Sequence, residues 1–118
     1  MRTMRPKFTN YIDGVLYVCN PDSGQSDFNA VKNPTKRKNL DVIWKLDFRE
    51  MSRRDQDMDF AESQGRTLTM KVKTHLLEPV NRLHMVMIGD ILYSIINLDK
   101  DRYAQEMYFY LEEVRDLS

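Results

Sequence analysis

The sequence predicts a mainly β protein: a small antiparallel β-barrel or sandwich with one short helix and one long loop. Three observations predict it. Four short alternating segments occupy Arg66–His75, His84–Ile88, Ile91–Asn97 and Glu106–Val114. Turn chemistry separates the last three, with Gly89-Asp90 and Asp99-Lys100-Asp101 at the reversals. In the first segment, Leu68, Met70 and Val72 fall on one side and Thr67, Thr69, Lys71 and Lys73 on the other. That is the period-2 pattern of a strand with one buried face.

The chain opens with a hairpin signal. Lys7–Tyr11 and Gly14–Cys19 flank Ile12-Asp13-Gly14, and Asp-Gly between strand-like runs favours a tight reversal. Val15-Leu16-Tyr17-Val18-Cys19 suits a mostly buried strand. Asn20–Asn39 differs: it holds Pro21, Ser23, Gly24, Ser26, Asn29, Asn33, Pro34 and Asn39, with only Phe28, Ala30 and Val31 apolar. This composition predicts a loop of about 20 residues, a length that is usually functional or disordered in compact domains. Its second half carries Lys32, Lys36, Arg37 and Lys38. Two readings stay open, a solvated excursion and a segment that orders on a partner.

Leu40–Met51 is the cleanest strand. Leu40, Val42, Trp44, Leu46 and Phe48 share one face, while Asp41, Lys45, Asp47 and Arg49 share the other. Trp44 and Phe48 are therefore expected as core anchors. Ser52–Gln64 is the helical candidate, with Ser52 as cap, Asp55 three residues on, and Gly65 just past the end. Arg53 is placed to reach Asp57 at i+4. Glu78-Pro79 interrupts the connection between two strands. Val72 is expected inside on its strand, and Phe109 inside on the last, where Met107, Phe109 and Leu111 oppose Tyr108, Tyr110 and Glu112.

A length of 118 residues fits one domain spanning 1–118. Cys19 is the only cysteine, which leaves no intrachain disulfide and fits a reducing compartment. No apolar run reaches the roughly 20 residues of a transmembrane helix. The basic start, Met1 to Lys7, has no apolar stretch behind it and does not resemble a signal peptide. Formal net charge is zero, which argues against a general nucleic-acid binder. Its distribution is uneven: residues 1–54 carry 11 Lys/Arg and 6 Asp/Glu, and residues 55–118 carry 7 and 12. Either the halves form oppositely charged faces suited to head-to-tail packing, or the fold interleaves them.

Catalytic constellations are missing from the sequence. Asp55, Asp57 and Asp59 alternate like the first ligands of a calcium loop, but Phe60 stands where Gly is needed and Arg66 where a bidentate Glu is needed. His75 and His84 have no partner at zinc-ligand spacing. Cys19 lies in an apolar strand and suits packing better than nucleophilic attack. No phosphate loop, nucleophile elbow or dinucleotide fingerprint occurs. The expectation is a non-enzyme with no metal and no cofactor. Tyr108 and Tyr110 on one strand invite base stacking, but Glu106 and Glu112 flank them and would repel phosphate. Packing against the helix or a neighbouring subunit accounts for them better.

The segments LDVIWKLDFREMSRRDQD, RTLTMKVKTH and VMIGDILYSIINLDKDRYAQEMYFYLEEVRDL resemble the head–tail joining proteins of long-tailed bacteriophages, also called head closure or stopper proteins. The likeness covers roughly Leu40–Leu117 and, more loosely, Tyr11–Cys19. It is carried by the Trp-bearing strand, the Ser-Arg-Arg-Asp helix start, the Thr-Leu-Thr-Met-Lys-Val-Lys strand and the closing tyrosine-rich run. The resemblance implies a ring of subunits beneath the portal and adaptor, which closes the DNA-filled head and docks the tail. Its implied partners are portal or adaptor ring proteins, a tail completion or tail terminator protein, and other copies of itself, with no membrane. Its implied location is the virion connector, with host cytoplasm during assembly. In some such proteins a long loop near the N-terminus reaches the channel and helps retain double-stranded DNA, and Asn20–Asn39 sits where that loop would be. The rival expectation is a small nucleic-acid-binding barrel of SH3 or OB type.

Overall fold

The computed structural model describes residues 12–20 and 41–117. The strands are β1 (Gly14–Cys19), β2 (Val42–Met51), β3 (Met70–His75), β4 (Met85–Ile88), β5 (Ile91–Asp101) and β6 (Glu106–Asp116). The helix α1 (Asp55–Ser63) lies between β2 and β3 in sequence. Every neighbouring pair is antiparallel, and the order β1-β2-β3-β6-β5-β4 closes into a barrel because β4 pairs back onto β1. Closure pairs strand edges that an open sheet would leave exposed.

Alternation then sorts the side chains. Leu16 and Val18 of β1, Phe48 of β2, Val72 of β3, Val86 of β4, Ile95 of β5, and Met107, Phe109 and Leu111 of β6 fill the interior. Val72 and Phe109 are direct cross-strand partners, so two of the expected anchors touch the same core layer. Gly14 is opposite Phe48, and a Cβ on Gly14 would stand 3.2 Å from the Phe48 ring. A side chain there would be strained by the φ of +154° and would need the ring to give by a few tenths of an ångström.

Trp44 departs from its expected place. It packs against the core only partly buried, and Val42 on the same face is 44% exposed. The cause is register. The β2–β3 pairing runs only through Arg49–Met51 with Lys71–Lys73, so the first half of β2 forms the barrel rim. Burial along that face therefore rises from Val42 to Phe48.

Several boundaries also move. The third strand begins at Met70 rather than Arg66, because the chain must first cross from α1 to the sheet. Thr69 donates its backbone N–H to Leu111 O at 2.8 Å, just before the strand starts. The fifth strand runs to Asp101, past the expected Asn97, since pairing with β6 continues through Leu98↔Phe109 to Asp101↔Glu106. Ile88 and Ile91 pair across Gly89-Asp90, with φ of +61° at Gly89 alone, the pattern of a II′ hairpin turn. The Lys7–Tyr11 partner of the predicted first hairpin lies outside the described residues.

The helix starts later than expected. Its N-cap is Arg54, not Ser52, because β2 extends to Met51 and the next two residues bridge to the helix. Asp57, not Asp55, holds the first turn by accepting the Arg54 backbone N–H at 3.1 Å. Arg53 does not reach Asp57. It donates to Leu68 O at 3.1 Å. At the other end Gly65 has φ of +71°, and Gly65 N–H→Glu62 O with Arg66 N–H→Ala61 O form a Schellman pair. Ala61 packs onto Leu68, Ile96 and Tyr110, which seats the helix on the outside of β3, β5 and β6.

Phe109→Ala should lower unfolding stability by about 3–5 kcal/mol, since the ring is fully buried among residues from every strand. Urea denaturation should show a reduced midpoint with an unchanged slope.

Candidate interaction surface

Strand direction gathers three connections at one end of the barrel. β1 ends there at Cys19, β2 starts at Val42 and β4 at Met85, because Cys19 pairs with both. β3 ends there at His75, and β5 and β6 meet it through His75↔Glu106 and Asp101↔Glu106. The residues bracketing 21–40 are tied at this end. Asn20 N–H donates to Asp41 O at 3.1 Å, and Asn20 Nδ2 donates to Asp41 Oδ2 at 2.5 Å. Lys32, Lys36, Arg37 and Lys38 lie outside the described residues.

Beside that bracket, the β3–β4 connection and the β5–β6 turn are bound to each other. Arg102 grips Glu78 with two hydrogen bonds, 2.7 Å from Nε to Oε2 and 3.0 Å from Nη2 to Oε1. Lys100 Nζ donates to Glu78 O at 2.6 Å, and Leu76 N–H to Gln105 O at 2.9 Å. The Arg102 hydrogen bonds hold the Glu78 carboxyl below its ordinary pKa. The turn itself projects Tyr103, 99% exposed, and the connection projects Leu83, 76% exposed. Large apolar side chains this exposed, with the backbone beneath them fixed, suit a contact surface. Behind them Trp44 meets the His84 ring edge-on, with centroids 5.4 Å apart. His84 Nδ1 accepts the Asn81 N–H at 3.0 Å, which orders the connection.

The tyrosine face is built differently from what β6 alone indicates. Lys71 points outward from β3, yet it is only 6% exposed, because α1 lies over it. Its Nζ meets Asp57 Oδ2 at 3.0 Å and stands 5.6 Å and 5.1 Å from the Tyr108 and Tyr110 ring centroids. Both carboxylates expected to repel phosphate are paired: Glu106 with Lys73 at 3.6 Å, and Glu112 with Arg66. Tyr110 packs against Ala61 of the helix. Tyr110 therefore joins the seam between barrel and helix, while Tyr108 and Tyr110 together still line an open pocket of about 430 Å³ with Arg54, Lys71 and Asp99.

Burial pushes the Asp57 carboxyl up, but hydrogen bonds from Lys71 and Arg54 outweigh it and hold its pKa below 3.8. Committed in this way, Asp57 cannot act with Asp55 and Asp59 as a cation ligand. Among the described residues no group of three His, Cys, Asp or Glu could hold a metal ion. Cys19 is fully buried, and burial followed by the Asp41 charge raises its pKa to about 11. The thiol stays protonated at neutral pH, so it lacks the thiolate that nucleophilic catalysis needs.

The basic excess of the first half lies outside the described residues. The described residues up to Arg54 carry four Lys/Arg and four Asp/Glu. The basic excess of the first half therefore belongs to residues 1–11, with three cations and no acid, and 21–40, with four cations and two acids. The barrel and helix are acidic, because the second half alone carries 12 acids against 7 cations.

No protein-family model matches the chain, and no curated protein matches its sequence. No helix among the described residues is long and apolar enough to cross a membrane.

Lys71→Met should cost about 3–5 kcal/mol, because it leaves the Asp57 carboxylate buried without its main partner. Lys71→Met with Asp57→Leu should recover most of that loss in chemical denaturation. The folded-state pKa of Asp57 is depressed, so its contribution is complete above 3.8 and disappears as pH falls through the lower folded value. Asp57→Asn should therefore flatten the loss of stability as pH falls below about 4. Iodoacetamide at mildly alkaline pH should label Cys19 only after denaturant is added. Labelling of the native protein at the unfolded rate would contradict its burial.

Proposed function

We propose that this protein is a head–tail joining component of a long-tailed bacteriophage, assembling as a ring that closes the DNA-filled head and docks the tail. The observation that carries the reading is the sorted end of the barrel. Three connections meet there, one of them the basic stretch 21–40, whose flanking residues Asn20 and Asp41 are pinned to the rim. The likeness across Leu40–Leu117 supports it, as does a closed barrel that would serve as a rigid wedge.

Charge supplies the assembly logic. An acidic barrel carries basic segments at 1–11 and 21–40, so a basic segment of one copy is attracted to the wall of the next. Lys32, Lys36, Arg37 and Lys38 then meet either packaged DNA or acidic neighbours. A segment that orders only on assembly gives specificity with low affinity between free subunits, so the isolated protein is expected to be monomeric.

DNA-filled heads assembled without the protein provide the test. Adding it back should restore DNA retention and tail attachment. Replacing Lys32, Lys36, Arg37 and Lys38 together by Gln should abolish retention or ring assembly while the circular dichroism of the barrel stays unchanged. Normal infectivity of that variant removes the loop from the mechanism. No rescue by folded wild-type protein, together with DNA affinity that falls steeply with salt, favours a nucleic-acid-binding barrel instead.

A further inference from the structure

One groove lies between the β3–β4 connection and β5, adjoining the Lys100–Glu78 pair. β4 pairs with β5 only over Ile91–Ser94, although β5 continues to Asp101. The β5–β6 register shifts between Ile95 and Asn97, and such a bulge bends the strand that carries it. Beyond that bend the β3–β4 connection stands beside β5 and is tied to it at the far end, where Lys100 Nζ donates to Glu78 O. Among the described residues it forms no backbone hydrogen bond to Ile95–Lys100. The space between them is a groove of about 580 Å³.

Its chemistry is specific. Ile95, Ile96, Leu98 and Val80 form an apolar floor, and Leu83 stands exposed at the rim. The charged residues of the wall are all cations, Arg66, Arg82 and Lys100. Arg66 is paired with Glu112 and Lys100 with Glu78, but Arg82 has no ion pair among the described residues. Among the described residues no aromatic ring lines the groove, so these residues offer no stacking surface of the kind single-stranded nucleic acid uses. Residues 1–11 of the same chain carry Arg2, Arg5 and Lys7 with no acid, and the rim would repel them.

We propose that this groove is a docking site for an extended acidic segment of another protein, added as an extra strand along the unpaired edge of β5. Backbone hydrogen bonds to Ile95–Lys100 supply the register. Alternate aliphatic side chains enter the floor, and the intervening carboxylates face Arg82. The proposal is independent of the head–tail reading, since it concerns only what this chain binds in isolation.

A random library of short peptides, selected against the purified full-length protein, tests it. Enriched peptides should alternate Asp or Glu with Val, Ile or Leu. Their binding should slow amide hydrogen exchange at Ile95–Lys100, a signature that simple adhesion to the surface would not produce. Arg82→Glu, at an exposed position with no ion pair among the described residues, should weaken them roughly tenfold. The proposal is overturned if no peptide is enriched or if β5 gains no protection. It is equally overturned if Arg82→Glu binds the acidic peptides as well as wild type, or if an oligodeoxynucleotide displaces them from the same amides.

Discussion

The structure depends on β1 being paired along both of its edges. Its six residues all pair with β2 on one side, and four of them, Leu16 to Cys19, pair with β4 on the other; that double pairing turns a curved sheet into a barrel. Two fully buried side chains, Leu16 and Val18, enter the interior from this short strand. Without β1, the long edge of β2 and the edge of β4 would both face water, and the layer around Phe48 would open. Gly14 is part of the same constraint, since the Phe48 ring crowds the space a side chain would take. Closure also sets the rest of the geometry: once the ring of strands is complete, connections can project only from its two ends.

The outer surface has its own fixed point. Lys71 and Asp57 form an ion pair shielded from solvent, with two tyrosine rings beside the ammonium group. Desolvating two charges offsets much of their attraction, so such a pair contributes more to where the helix sits than to how stable it is. Asp57 also holds the first turn of α1, which couples the start of the helix to its docking position. The tyrosine strip is shared between this seam and the open pocket beside Asp99.

Exposed surfaces among the described residues include the end of the barrel and the groove beside β5. They differ in chemistry. At the barrel end, Glu78 draws two cations inward and leaves Tyr103 and Leu83 projecting over a braced backbone. In the groove, cations outnumber nearby acids over an apolar floor. The two surfaces meet at Leu83, and the closed barrel holds them in a fixed relation.

Strand identity was legible because alternation is local: Leu16/Val18, Met70/Val72 and Met107/Phe109/Leu111 each declare a buried face within a few residues. Gly65 and Gly89 were legible for the same reason, since each marks a backbone reversal that its neighbours demand. The core anchors Phe48, Val72 and Phe109 follow from that pattern, but the half-exposed state of Trp44 does not. It depends on how far β3 extends along β2, a matter of register between residues distant in sequence. Lys71 reads as solvent-facing by alternation, and only the helix laid across it makes it buried. The pairing of Glu106 and Glu112 with cations of other segments was hidden likewise. The groove beside β5 is the clearest case, because an unpaired edge is defined by the strand that stops short of it. The sequence by itself determined which residues alternate, turn and carry charge. The tertiary structure alone decided which faces meet, since that depends on barrel closure and the register of strands far apart in the chain.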